Sequence, residues 1–142
     1  MIGFLFAVAI QTAPALPGTE PWARDPIVQL APPWHELEIG QWAYLGASNS
    51  NQTVTFLRPG PRRGLVWARY EYRESLRGSA VRSSRALNDI DCGEWKTRRM
   101  QLVSFDGPNL TGAQVEHLGQ GAWDYAAPDT VAEAILKYGC GD

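Results

Sequence analysis

Few residues in this chain are of types that do chemistry, and their spacing narrows what they could do. The two histidines, His35 and His117, are isolated, with no HxxxH or HExxH arrangement to hold a metal. His117 and Asp124 could join a serine in an acid–base triad, yet no GxSxG elbow or other nucleophile context accompanies them. Asp89 and Asp91 sit two apart and so share one face of a strand, as paired glycosidase carboxylates would. Aspartates near a strand end more often serve turns and solvent. Leu118–Ala122 is glycine-rich but lacks the lysine of a phosphate loop. The expectation is a protein without a catalytic set, without metal ligands and without a cofactor.

Two groups remain. The chain has two cysteines, Cys92 and Cys140, without CxxC spacing and without nearby histidines. In an exported protein an isolated pair usually forms a bridge; the alternative is two buried thiols in a cytoplasmic protein. The second group is arginine. From Arg58 to Arg99 there are eleven bases, ten of them arginine, against five acids, although the whole chain has a net charge of −2. Arg69 and Arg73 share a strand face, and Arg98 or Arg99 could join them from a neighbouring strand. Such a patch would suit acidic glycoproteins, sulfated glycans or lipopolysaccharide, because the planar guanidinium matches carboxylate, sulfate and phosphate. The plainer alternative is that these charges, interleaved with acids, solvate the sheet. Trp67, Tyr70 and Tyr72 among the arginines would also fit nucleic acid, but export argues against that partner and the tyrosines read as core.

The elements that must position these groups begin after a special N-terminus. Ile2–Ile10 is a continuous apolar run, and Ala13-Pro14-Ala15 follows it as a small-x-small site. That is the shape of a secretory signal peptide over residues 1–15, too short for a transmembrane span of roughly 20 residues. No Lys or Arg precedes the run, and a buried N-terminal strand or helix is the alternative. With no cysteine near the cleavage site after Ala15, lipid attachment there is not expected. Six of the ten prolines fall between Pro14 and Pro33, which predicts an extended linker over residues 16–36. The folded domain is then residues 37–142.

Within that domain the pattern is mostly of period two. Strands are expected near Gln41–Leu45, Thr53–Leu57, Leu65–Arg73, Ala80–Cys92 and Trp95–Phe105, with a further one between Ala113 and Tyr125 broken by Gly119 and Gly121. In Leu65–Arg73 one face carries Val66, Ala68, Tyr70 and Tyr72 and the other Trp67, Arg69, Glu71 and Arg73, the alternation of a sheet with one buried and one wet face. Thr130-Val131-Ala132-Glu133 matches a capping box, with Glu133 reaching back to the backbone N–H of Thr130. Val131, Ala134, Ile135 and Tyr138 then form an apolar helical face, Glu133 and Lys137 an i,i+4 pair, and Gly139 the stop. The fold class is α+β: an antiparallel sheet of five or six strands, with one C-terminal helix packed on it and tied by the disulfide.

Val66-Trp67, Ile90-Asp91-Cys92, Ser104-Phe105-Asp106-Gly107, Trp123, Pro128 and a last helix ending at Cys140, in that order, resemble the surface-adhesin protein E family over roughly Trp42 to Cys140. The resemblance implies a Gram-negative envelope protein, in the periplasm or at the cell surface, with an antiparallel sheet and a helix tied to it by a disulfide. For the family's namesake it also implies binding of host matrix and serum glycoproteins, and haem. This chain departs in lacking a lipobox cysteine, and no ligand-binding segment can be carried over residue by residue. The leading expectation is an exported binding module that contacts a protein or glycan ligand, with no nucleic acid, no transmembrane span and a homodimer left open. A periplasmic structural or enzyme-inhibitory protein is the alternative, and an enzyme comes third.

Overall fold

The computed structural model describes Trp34 and residues 37–47, 52–75, 79–117 and 119–141. The signal peptide, its cleavage site, most of the proline-rich segment and His35 lie outside the described residues. Seven strands and one helix occur among those described: β1 (Ala43–Ala47), β2 (Thr53–Pro59), β3 (Leu65–Tyr72), β4 (Ser83–Asp91), β5 (Lys96–Phe105), β6 (Gln114–His117), β7 (Asp124–Tyr125) and α1 (Val131–Cys140). No helix among them is long and apolar enough to cross a membrane.

The strands form one antiparallel sheet in sequence order from β1 to β6, with β7 pairing β5 beside β6. Each strand follows its neighbour through a local connection, so the meander is built from short-range contacts. The segment read as one broken strand between Ala113 and Tyr125 is two: β6 pairs the C-terminal half of β5, and β7 pairs its start. Gly119, at φ +102°, lies in the loop between them.

The alternation in β3 sorts the sheet into two covered faces. On one, Leu45, Leu57, Val66, Ala68 and Ile90 pack against Ala134, Ile135 and Leu136 of α1. On the other, Trp34 packs with Val54 and Phe56, and Leu37, Ile39, Trp42 and Tyr44 extend that cluster. The face bearing Arg69 and Glu71 is therefore not simply wet. The chain leading into β1 covers part of it, and Trp34, from the segment read as linker, is buried there.

The helix differs from its sequence reading in three details. Thr130 Oγ1 accepts the Glu133 N–H at 3.2 Å, as a cap should, but the Glu133 carboxylate takes the N–H of Asp129 at 2.9 Å instead of that of Thr130. Asp129 adopts φ +62° and turns its N–H towards the helix. Leu136 is buried in place of Val131, which is left 39% exposed. Gly139 lies inside the helix, and Gly141 ends it in the left-handed conformation (φ +81°). A Cβ at Gly139 would collide with Ile90 and Val66, so glycine there lets the helix end press onto the sheet. Next to it the Cys92–Cys140 disulfide joins the β4–β5 turn to α1, with Cα atoms 5.8 Å apart.

Candidate functional site

The four arginines read as one patch are dispersed. Arg69 is 2% exposed, and every polar group of its guanidinium is engaged. Nε donates to Glu71 Oε2 at 2.7 Å, Nη1 to the Glu38 carbonyl at 2.9 Å and Nη2 to Asn109 Oδ1 at 2.8 Å. Glu71 Oε1 accepts the Asn109 N–H, and Asn109 Oδ1 also accepts the Glu38 N–H. The result is a buried clasp that ties β3 to the segment before β1 and to the β5–β6 loop, over the ring of Phe56. Burial raises the Glu71 carboxyl above its ordinary value, against the pull of Arg69 and the Asn109 N–H. Arg69 thus offers nothing to a surface ligand, a correction to the expected patch. A covered charged pair and a wet one give the same alternation in sequence.

Arg98 does lie on the Arg69 face, but β5 and β4 place it opposite Asp89, which is opposite Leu65. That is four residues along from Arg69, roughly 13 Å at ~3.3 Å per residue. Arg98 pairs with Asp89 at 3.3 Å and lies 4.7 Å from the Trp123 ring. Lys96 pairs with Glu94 at 3.3 Å and approaches Trp123 and Tyr125. This cationic–aromatic edge is balanced by its own acids. Arg99, the next residue, turns to the helix face. Arg73 is exposed past the end of β3.

What the fold gathers instead is the β2–β3 turn. Arg62 and Arg63 are exposed there and make no ion pair among the described residues. Arg58, at the base of the turn, donates to Gln41 Oε1, a neutral partner, at 3.0 Å. A hollow of about 480 Å³ lies beside Arg62 and Arg63, bounded by Pro59, Ile90, Tyr138 and Gly139. The sequence shows Pro59–Gly64 as a turn; the signal that could have singled it out is three arginines in six residues with no acid among them.

The residues weighed for catalysis are used otherwise or stand apart. Asp89 holds Arg98, and Asp91 Oδ1 accepts the Glu94 N–H in the β4–β5 turn. His117 pairs opposite Leu102 and Asp124 opposite Thr97. Those β5 positions are five residues apart, roughly 16 Å at ~3.3 Å per residue, too far for a triad. No group of three or more metal-ligating side chains occurs among the described residues.

With this geometry in place, the comparisons can be read. A family model described as surface-adhesin protein E matches residues 42–141, the sheet from just before β1 through the end of α1. The chain belongs to the surface-adhesin protein E family. The match begins at Trp42, so Trp34 and Glu38, which close the second face, lie ahead of it. Among solved structures the chain is similar to crystal form II of Haemophilus influenzae protein E, at 16% identity and a TM-score of 0.48, covering 80% of this chain and 96% of that one. No curated protein matches.

Proposed function

We propose that the protein is a non-catalytic, adhesin-like binding module of the Gram-negative envelope, exported to the periplasm or cell surface, which contacts acidic glycans or the glycoproteins that carry them. Membership of a surface-adhesin family supports a binding role. The observation that carries the choice of ligand is the β2–β3 turn, where Arg58, Arg62 and Arg63 have no carboxylate partner among the described residues while Arg69, Arg98 and Lys96 each have one. The exposed guanidinium groups of Arg62 and Arg63, with Arg58 held beside them by Gln41, suit carboxylate or sulfate oxygens taken in a bidentate manner.

The test is binding of the purified protein to immobilised heparin and to sialylated glycoproteins at low and high salt. Saturable binding that weakens with salt, and drops by about tenfold or more in Arg62→Glu/Arg63→Glu, is expected. Both side chains are exposed, so the thermal melt of the variant should match the parent. Binding that survives the charge reversal would remove the turn from the reading, and no binding to any of these ligands would remove the acidic-glycan role.

A further inference from the structure

At the far end of α1 from the arginine turn, the helix face of the sheet is not filled. Its positions there are small: Ser84 and Ala86 on β4 and Ser104 on β5. The first turn of α1 spans this region without closing it, which is why Val131 is left 39% exposed. The outcome is a cleft of about 530 Å³ between helix and sheet, within the ~300–1,000 Å³ of small-ligand sites.

The cleft mixes polar groups with the apolar walls given by Leu102, Val131 and Ile135. Ser84 and Ser104 lie in its floor at 3% and 6% exposure, with hydroxyls 3.4 Å apart. A bond that long is weak, so both hydroxyls keep donor and acceptor capacity for something else. Tyr70 and Tyr72, two apart on β3, line the same cleft. Arg99 also lines it, exposed and without an ion pair among the described residues. Its charge reaches Tyr70, whose hydroxyl is held protonated chiefly by burial.

We propose that this cleft binds an acidic sugar, a pyranose bearing a carboxylate, with the carboxylate on Arg99, ring hydroxyls on Ser84 and Ser104, and a ring face against the tyrosines. A peptide strand is a poorer occupant, because β4 pairs one side of β5, and β6 and β7 cover the other except at residues 98–101, where Gly121 already donates its N–H to the Arg99 carbonyl. Of the two arginines in the lining, Arg98 is already paired with Asp89, so a highly charged phosphate group would find a single unpaired arginine, with the carboxylate of Asp124 also in the lining. A sugar acid matches one cation, several hydroxyls and two aromatic rings. The same chemistry is found in terminal sialic acid and in uronic acids. This site is separate from the arginine turn, and either can fail without the other.

Isothermal titration and saturation-transfer NMR on the whole protein with N-acetylneuraminic acid, glucuronic acid and glucose test it. Binding of at least one acid is expected, with glucose about tenfold weaker or more, as loss of a charge-assisted contact implies. Whichever acid binds tighter identifies the source. Arg99→Gln should bring the acid down to the level of glucose, and Ser104→Ala should weaken it further while keeping the cleft's shape. Arg62→Glu/Arg63→Glu should leave it unchanged. Three results overturn the proposal: no binding of either acid at millimolar concentration, equal binding of acid and neutral sugar, or acid binding indifferent to Arg99→Gln in a variant whose melt is unaltered.

Discussion

The two faces of the sheet solve the same covering problem in opposite ways. Under the segment that precedes β1, the face is closed with large rings (Trp34, Phe56, Trp42, Tyr44) and with an ion pair whose polar atoms are all engaged. Under α1, Val66, Ala68 and Ile90 pack against Ile135 and Leu136, and hollows are left beyond this contact at both ends of the helix, the one under its first turn lying between helix and sheet. A charge that is buried and saturated, such as Arg69, positions chain segments. A charge without an ion pair among the described residues, such as Arg62, Arg63 or Arg99, is available to a partner. Arg85 lies between these cases: its Nε is buried without a hydrogen-bond partner among the described residues, and its guanidinium is held about equally by the rings of Trp67 and Phe105.

The largest effect should come from breaking the closed face. Arg69→Met strands Glu71 at 1% exposure with only the charge of Arg82 left to offset its burial, and removing one partner of a buried pair costs roughly 3–5 kcal/mol. Urea unfolding should show that loss, and Arg69→Met/Glu71→Leu should recover part of it by removing the stranded carboxylate as well. A single variant within about 1 kcal/mol of the parent would mean that the clasp is no more than a surface pair, and the contrast between the faces would collapse.

A slightly smaller and differently placed loss is expected on the other face. Cys92→Ser/Cys140→Ser opens a loop with a sequence separation of 48, for which the chain-entropy account gives about 4 kcal/mol and measured bridges typically 2–4. A ten-residue helix does not hold itself together in water, so hydrogen exchange should show protection lost first in Val131–Cys140. Protection at Val54 and Phe56 should outlast it. Uniform loss across both faces would show that the bridge stabilises the domain as one unit instead of pinning α1.

The order of strands, the final helix and the Cys92–Cys140 pair were legible because each rests on local pattern: alternation in Leu65–Tyr72, a cap at Thr130 and two isolated cysteines in a chain that opens on a signal-like apolar run. What was not legible depends on what lies above a face. Arg69 and Glu71 alternate with Val66 and Ala68 as solvent-facing charges would, and nothing in β3 announces that Glu38 and Asn109, distant in sequence, will close over them. The expected patch failed for that reason, and because Arg98 and Arg99, being adjacent on a strand, must point to opposite faces. The cleft was invisible for a related reason. Ser84, Ala86 and Ser104 are unremarkable one by one, and only the register that stacks them beneath the first turn of α1 makes a hollow.

That hollow can be probed without any ligand, through the effect smallest at neutral pH. Burial, with Tyr72 adding to it and Arg99 opposing it, lifts the Tyr70 hydroxyl from 10.0 to about 12. A native-state value above the unfolded one means that the folded protein holds this proton more tightly. The resulting stability is complete below pH 10 and is lost as pH rises through about 12. Tyr70→Phe should therefore leave stability near neutral pH almost untouched and flatten its decline between pH 10 and 12. Burial also raises Tyr44 on the arm-covered face and Tyr138 beside the helix end, so part of the slope should remain. In Arg99→Gln, the tyrosinate absorbance assigned to Tyr70 should move higher still, because the one group lowering it has gone. A titration unmoved by Arg99→Gln would place the guanidinium away from the tyrosine, and the cleft would lose its cation.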